Sequence, residues 1–404
     1  MSTTTAARPR QFRAEASLAR LPRLDWTLLL AAASLVAIGT LLVWSATSDK
    51  TALNDGDPQA FLRRHLVNVA IGAVLGVLVA ATDHRWVRIL APVVYAASLV
   101  GLLLVITMGT TINGSRSWIV VAGMSTQPAE FAKLSVVIGM ALVVAERTEG
   151  SWRQREVRHV DVLAMLGVAA LPAVLILLQP DLGTLLVLLA TVFGVIAVSG
   201  APRRWLTGLV LTGLAVAVVG VKGGLLKEYQ VDRFMAFTNP ALDPQGAGYN
   251  TEQARIAIGN GGVFGQGLFQ GSQTKAGFVP EQQTDFIFTV AGEELGLIGA
   301  GLVILLMGVL LWRALSIAAQ ADDLFGRLAA AGVACWFGFQ TFQNIGMCLG
   351  IMPVTGVPLP LVSYGGTSMF VTLMAVGLLE NIHLRSQGSF GLGVNRTRLV
   401  RSRF

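Results

Sequence analysis

The side chains able to do chemistry in this chain cluster in and around its longest polar tract, Lys222 to Asp285. Asp285 closes that tract at the mouth of an apolar run, directly after Thr284, a candidate N-cap. A carboxylate in a first helical turn is held ionised by the positive end of the helix dipole. It then either stabilises the helix end or serves as a base. The polar run Glu281-Gln282-Gln283-Thr284 and the pair Glu293-Glu294 two turns later favour the second role. Lys133 lies about 7.5 Å inside another apolar run, where an ammonium needs a partner. Either Glu130 at i−3 neutralises it, or it faces the same site as Asp285 and pairs with that carboxylate or a phosphate. Arg116 could bind pyrophosphate. Trp118 either anchors at a membrane interface or stacks on a sugar face. Asp181, in Gln179-Pro180-Asp181-Leu182-Gly183-Thr184, reads as the cap of a tight turn.

The elements that must position these residues are membrane helices. The 404 residues are 53% hydrophobic and 13% charged, with a mean hydropathy of +0.65. Soluble domains carry about 25% charged residues. Spanning ~30 Å of hydrocarbon takes about 20 apolar residues, and ten such stretches are legible: 26–46, 66–82, 87–108, 129–145, 161–179, 182–200, 205–222, 285–312, 328–350 and 366–384. The expected fold is an all-α polytopic membrane protein with one large extracellular loop, about 222–284, between the seventh and eighth helices. Its transmembrane domain covers 25–385, flanked by basic disordered tails at 1–24 and 386–404. Twenty of the 30 Lys and Arg fall in segments on the side of the N-terminus, nine on the other side, and Lys133 within a helix. The positive-inside rule then places both termini in the cytoplasm and the large loop outside.

The basic balance, pI about 9.9, reflects topology and contact with anionic lipid rather than nucleic acid. The first apolar run is too long for a cleaved signal and reads as a signal anchor. Cys335 and Cys348 read as buried packing thiols. His65, His84, His159 and His383 are too scattered for a metal cluster. Glycines 246, 248, 259, 261, 262, 265, 267 and 271 crowd the polar loop without a G-x-G-x-x-G in a βαβ unit. They serve either tight turns or close backbone approach to a phosphate or sugar. Three prolines in Pro353–Pro360 impose an irregular segment near the outer surface, followed by Ser363-Tyr364-Gly365-Gly366.

Several motifs in fixed order carry a resemblance: NGSRSW, QPAEFAKL, QPDLGT, GAGYN, PEQQTDFIF with GEELG, and NxGM followed by PVTGVPLPLVSYGG. From about Leu24 to Glu380 the chain resembles the SEDS family (shape, elongation, division and sporulation). Its GSQT…FVPEQQTDFIF tract is more similar to RodA, the elongation member, than to FtsW, the division member. One departure is Ser117, where many relatives carry a basic residue before the Trp; Arg116 is placed to supply that charge. The resemblance implies a peptidoglycan glycosyltransferase that polymerises lipid II at the outer face of the bacterial cytoplasmic membrane, beside a class B penicillin-binding protein. It matches Asp285 to the family's essential loop acid, Lys133 to its fourth-helix lysine and Trp118 to its loop Trp.

On that reading Asp285 is the general base that deprotonates the GlcNAc 4-hydroxyl as it attacks the sugar carbon bonded to undecaprenyl pyrophosphate, with inversion to a β-1,4 linkage. Pyrophosphate leaves without protonation, so a second carboxylate acid is not required, unlike most glycosidases. Arg116, Lys133, Arg233, Arg255 or a divalent cation (Mg or Mn) are the candidates for stabilising the leaving group. Glu130, Glu281, Thr284 and Ser363 complete the expected substrate-binding set with Trp118. The alternatives are a lipid II flippase and a noncatalytic scaffold for a penicillin-binding protein.

Overall fold

The computed structural model describes residues 24–50, 56–112, 115–121, 124–149, 156–222 and 246–400. Backbone amides in hydrocarbon must be satisfied within their own segment, and each of the ten apolar stretches is a helix. They are α1 (Trp26–Ser48), α2 (Ala60–Ala81), α3 (His84–Met108), α4 (Pro128–Glu149), α5 (His159–Leu178), α6 (Leu182–Val198) and α7 (Arg203–Lys222), then α10 (Ile287–Gln320), α11 (Leu324–Leu349) and α12 (Gly366–Val400). Two shorter helices, α8 (Ala247–Asn260) and α9 (Ser272–Ala276), lie between α7 and α10.

Among the described residues eight helices are long and apolar enough to cross a membrane, and α6 is a shorter apolar helix of 17 residues. The helix α11, which carries Gln340, Gln343 and Asn344, is buried along most of its length against α4, α6 and α10. Trp336 and Phe337 on α11, Met140 on α4 and Leu188 on α6 fill this centre. Outward-facing Val74 and Val77 on α2, Val93 on α3, and Leu211 and Val216 on α7 stay exposed, an apolar surface of the extent that a bilayer covers.

Three features depart from the sequence expectation. The tract after α3 is a three-stranded antiparallel meander, β1 (Thr110–Ile112), β2 (Ser115–Val121) and β3 (Met124–Thr126), with Thr110 opposite Trp118 and Ile119 opposite Thr126. The backbone of α12 continues helical to Val400 instead of giving way to a tail at 386. Once a span is anchored, extending its helix costs little, because nucleation is already complete.

The third departure concerns α10. It starts at Ile287 with Phe286 as N-cap and no capping side chain, so Thr284 is not its cap and Asp285 precedes its first turn. Glu281, at φ +51°, aims its carbonyl at the N–H groups of Thr284, Asp285 and Phe286 (3.1–3.3 Å), which closes residues 281–286 into a separate turn. Gly296 (φ 67°, ψ −165°) then breaks α10, a conformation open essentially to glycine.

Residues 262–267 form a strap across this break. The N–H groups of Gln266 and Gly267 donate to the Glu293 and Glu294 carbonyls at 3.0 Å, and those of Leu297 and Ile298 donate to the Gly262 and Val263 carbonyls at 2.9 and 3.2 Å. A Cβ at Gly265 would collide with the Glu294 carbonyl. The loop glycines at 261, 265 and 271 therefore allow close approach to α10, and Gly262, Gly265 and Gly267 take positive φ, as a loop folding back through tight turns requires.

Candidate active site

Asp285 lines a cavity of about 510 Å³ at the end of the bundle where the polar segments meet. Five elements build its wall, α8 among them through Asn250. The meander contributes Ser117, Trp118 and Ser125, and the α5–α6 turn Pro180 and Asp181. The 280–286 turn contributes Glu281, Thr284 and Asp285, and the segment from α11 into α12 contributes Thr355, Gly356, Tyr364 and Thr367.

Asp285 is half-buried. Its backbone carbonyl accepts Asn344 Nδ2 at 2.7 Å, and the same amide nitrogen donates to the Val357 carbonyl at 2.7 Å. One side chain of α11 thus latches the acid's turn to the proline-rich segment. Gly356 has φ +72°, and a Cβ there would sit 3.3 Å from Asp285 Oδ2, so glycine lets that segment run beside the carboxylate.

Two further carboxylates share the cavity. Asp181 accepts the Thr184 N–H at 3.0 Å and the Thr184 hydroxyl at 2.9 Å, which makes it the N-cap of α6 as expected. Its Oδ2 also accepts Gln127 Nε2 at 2.8 Å. Glu281 accepts the Thr284 hydroxyl (3.2 Å) and Gln283 Nε2 (3.3 Å), so these side chains brace the turn that carries Asp285.

Among the described residues no Lys or Arg lines the cavity. Lys133 is fully buried, and its Nζ donates at 2.8 Å to Glu130 Oε1 and at 2.8 Å to Gln340 Oε1, 5.1 Å from the Trp336 ring centroid. Local neutralisation by Glu130 is the arrangement present; Lys133 does not reach Asp285's cavity. The cluster still connects to the site. Gln340 Nε2 donates to the Pro358 carbonyl at 2.7 Å, and Pro358 lines the cavity.

Ser363 is buried, accepts the Leu359 N–H at 2.8 Å and does not line the cavity. Arg255 is exposed on α8, away from the lining. Arg233 and the side chain of Arg116 lie outside the described residues.

The Glu293-Glu294 pair is structural. Glu293 accepts the N–H groups of Gln273 and Thr274 (2.7 and 3.0 Å) and the hydroxyls of Ser272 and Thr274 (3.3 and 2.7 Å), which pins α9. Glu294 accepts the Ser45 hydroxyl at 2.6 Å.

Sequence reasoning missed Lys50, just beyond α1. Its Nζ donates to Gln282 Oε1 at 3.1 Å. Burial pushes its ammonium below the usual lysine range, and the negative charge of Glu281 opposes that shift. The only sequence signal was a lysine a few residues past a span, a pattern shared with ordinary interfacial anchors. No group of three or more His, Cys, Asp or Glu able to hold a metal ion occurs among the described residues. Two of the three cavity carboxylates, Asp181 and Glu281, are already engaged by Gln127, Thr184, Gln283 and Thr284.

A multi-pass helical bundle carrying a carboxylate-lined cavity at one end of its helices is the class of membrane protein that this fold and site define. The family model described as "Cell cycle protein", of FtsW, RodA and SpoVE, matches residues 25–388, and the chain belongs to that family. It is 37% identical to the stage V sporulation protein E of Bacillus subtilis, over 89% of this chain and 96% of that one. It is 36% identical to the peptidoglycan glycosyltransferase MrdB of Escherichia coli K12, over 89% and 93%. Among solved structures it is similar to Thermus thermophilus RodA (32% identity, 89% and 96% coverage, TM-score 0.65). It is also similar to a chain from work on the coordination of polymerization and crosslinking by a peptidoglycan synthase complex (34%, 90% and 98%, TM-score 0.75). Relatives named FtsW match at 34–37%, beside 37% for the sporulation protein and 36% for MrdB.

Proposed function

We infer that the chain is a peptidoglycan glycosyltransferase of cell-wall synthesis, and propose that it polymerises lipid II with Asp285 as general base, for wall elongation. The observation that carries this reading is the placement of Asp285. Its carboxylate lines a cavity large enough for sugars, shared with Trp118, on a half-buried turn whose backbone carbonyl accepts Asn344 Nδ2. In the proposed step Asp285 takes the proton of the acceptor's 4-hydroxyl as that oxygen displaces the polyprenyl pyrophosphate of the donor. The sugar–pyrophosphate bond breaks as the new glycosidic bond forms, and the leaving group departs as an anion. Trp118 offers a ring face to a sugar, and Asp181, hydrogen-bonded to Gln127, offers an acceptor for sugar hydroxyls. The cavity faces the external side in the topology that the basic residues favour. A class B penicillin-binding protein beside it would crosslink the product.

The closed Lys133–Glu130–Gln340 cluster favours enzyme over transporter: the buried charge is neutralised in place and lines no passage. The test is polymerisation of lipid II by purified protein in detergent, which leaves no two sides for transport. Asp285→Asn should insert and fold yet lose about 10²–10⁴-fold in rate, the usual worth of a positioned base. Wild-type polymer yield from that variant would remove Asp285 from the mechanism.

A further inference from the structure

Just past the end of α5, Asp181 lines the catalytic cavity. The helix itself is 20 residues long, about 30 Å, so its first residue, His159, lies at the opposite end of the bundle. There Arg158 and His159 line a second cavity of about 550 Å³, together with Glu156, Val157, Val160 and Pro202. Pro202 leads into α7, whose first turn carries Arg204 and Trp205. The Trp205 indole N–H donates to His159 Nδ1 at 2.6 Å, with the two rings 5.9 Å apart between centroids. The Arg204 guanidinium meets the other ring nitrogen, Nε2.

Indole and guanidinium are donors with no acceptor. Because Nδ1 takes the indole hydrogen, Nε2 of the neutral ring bears its own hydrogen and has no lone pair for Arg204. Two N–H donors, one from α5 and one from α7, therefore converge where an acceptor belongs. Among the described residues neither Arg158 nor Arg204 forms an ion pair with a carboxylate, and Glu156 is the single acid in the lining. Just inside this point both helices turn apolar side chains outward: Val160 and Leu163 on α5, Val210 and Leu211 on α7. The site is on the side of the N-terminus, which the distribution of basic residues assigns to the cytoplasm.

We propose that this cavity seats the headgroup phosphate of an anionic phospholipid of the phosphatidylglycerol type in the cytoplasmic leaflet. One phosphate oxygen accepts from His159 Nε2 and from Arg204, and a second faces Arg158; charge-assisted bonds from arginine to phosphate are the strong kind. Basic pockets between membrane helices on the cytoplasmic side are suited to such headgroups. A zwitterionic phospholipid brings the same phosphate with a tethered cation that cancels its charge. A free phosphate fits the donors but leaves the apolar side chains directly below them unused, whereas the acyl chains of a lipid lie along them. A headgroup held by residues of both helices also ties the start of α7 to α5.

The test uses the full-length protein in phosphatidylcholine nanodiscs doped with phosphatidylglycerol that carries a diazirine next to its headgroup. Irradiation should label residues within 156–160 and 202–206. Excess unlabelled phosphatidylglycerol should compete, and inorganic phosphate should not. Arg204 is exposed, so Arg204→Gln should fold and keep the His159–Trp205 bond. It should cut labelling about fivefold, the worth of one basic residue at an anionic membrane surface. His159→Phe, which keeps a ring against Trp205 but brings no N–H, should cut it as well. Arg85→Gln, at an exposed position in the first turn of α3 on the same side, should change nothing. Labelling displaced by inorganic phosphate would make this a site for free anions, and labelling unchanged by Arg204→Gln would reduce it to general contact with the bilayer; either result overturns the proposal. Labelling needs no turnover, so its outcome stands apart from the glycosyltransferase reading.

Discussion

Asn344 is the most exposing place to test how the acid is held. Its Nδ2 donates to two carbonyls, Asp285 and Val357, each at 2.7 Å, and the residue is fully buried. Asn344→Ala removes the donor from both. A buried acceptor deprived of its partner costs about 1–3 kcal/mol, so the pair is worth about 2–6 kcal/mol, with the lower end expected because the cavity can admit water to the Asp285 side. Most of that loss should appear as freedom of the 281–286 turn relative to the 353–358 segment, not as global unfolding. A reacting group displaced by about 1 Å typically loses 10²-fold in rate, equivalent to about 2.7 kcal/mol in the barrier. The assay is steady-state polymerisation of lipid II by Asn344→Ala and Asn344→Asp, with a thermal melt of each. The expected result is a kcat lower by about two orders of magnitude, a KM changed far less and a retained melt. Asn344→Asp, which sets a carboxylate against two carbonyls, should be at least as impaired. A kcat within twofold of wild type, or a loss confined to KM, would refute the latch.

Two further outcomes are expected. Lys133→Ala leaves the Glu130 carboxylate buried without its cation, so it should destabilise the protein by about 3–5 kcal/mol; adding Glu130→Gln should recover part of that, and additive melting-temperature losses would argue against the pair. Glu293→Ala removes the acceptor of two N–H and two hydroxyl bonds at α9, and limited proteolysis should then cut within residues 268–280 at least tenfold faster; unchanged cleavage would show that α9 is held by something else.

The helices were legible because hydrocarbon leaves the backbone no alternative: every apolar stretch of sufficient length had to close its own hydrogen bonds, and each did. The site was legible in part. Asp285 stood out as an acid at the border of a polar tract and an apolar run, and Trp118 as an aromatic in a short polar connection; both line the cavity. The start of α10 was not legible. Thr284 has the composition of a cap, but the positive φ of Glu281 diverts the turn, and nothing in residue type announces a glutamate in that conformation. Asp181 read as a cap, and is one; that its second oxygen borders the cavity depends on how α4, α6 and the meander converge. The Glu293-Glu294 pair misled, because two adjacent acids look like chemistry until their partners, backbone amides twenty residues upstream, are seen.

The break at Gly296 carries a consequence for exchanging parts between relatives. The strap and the interrupted helix each supply the other's missing backbone partners, two amides in one direction and two in the other. A chimera that imports residues 259–271 alone, or α10 alone, would strand peptide groups beside the acyl chains, where they are most expensive. The two stretches, separated in the chain by α9 and the Asp285 turn, have to be inherited or grafted as a single unit, together with the acid between them.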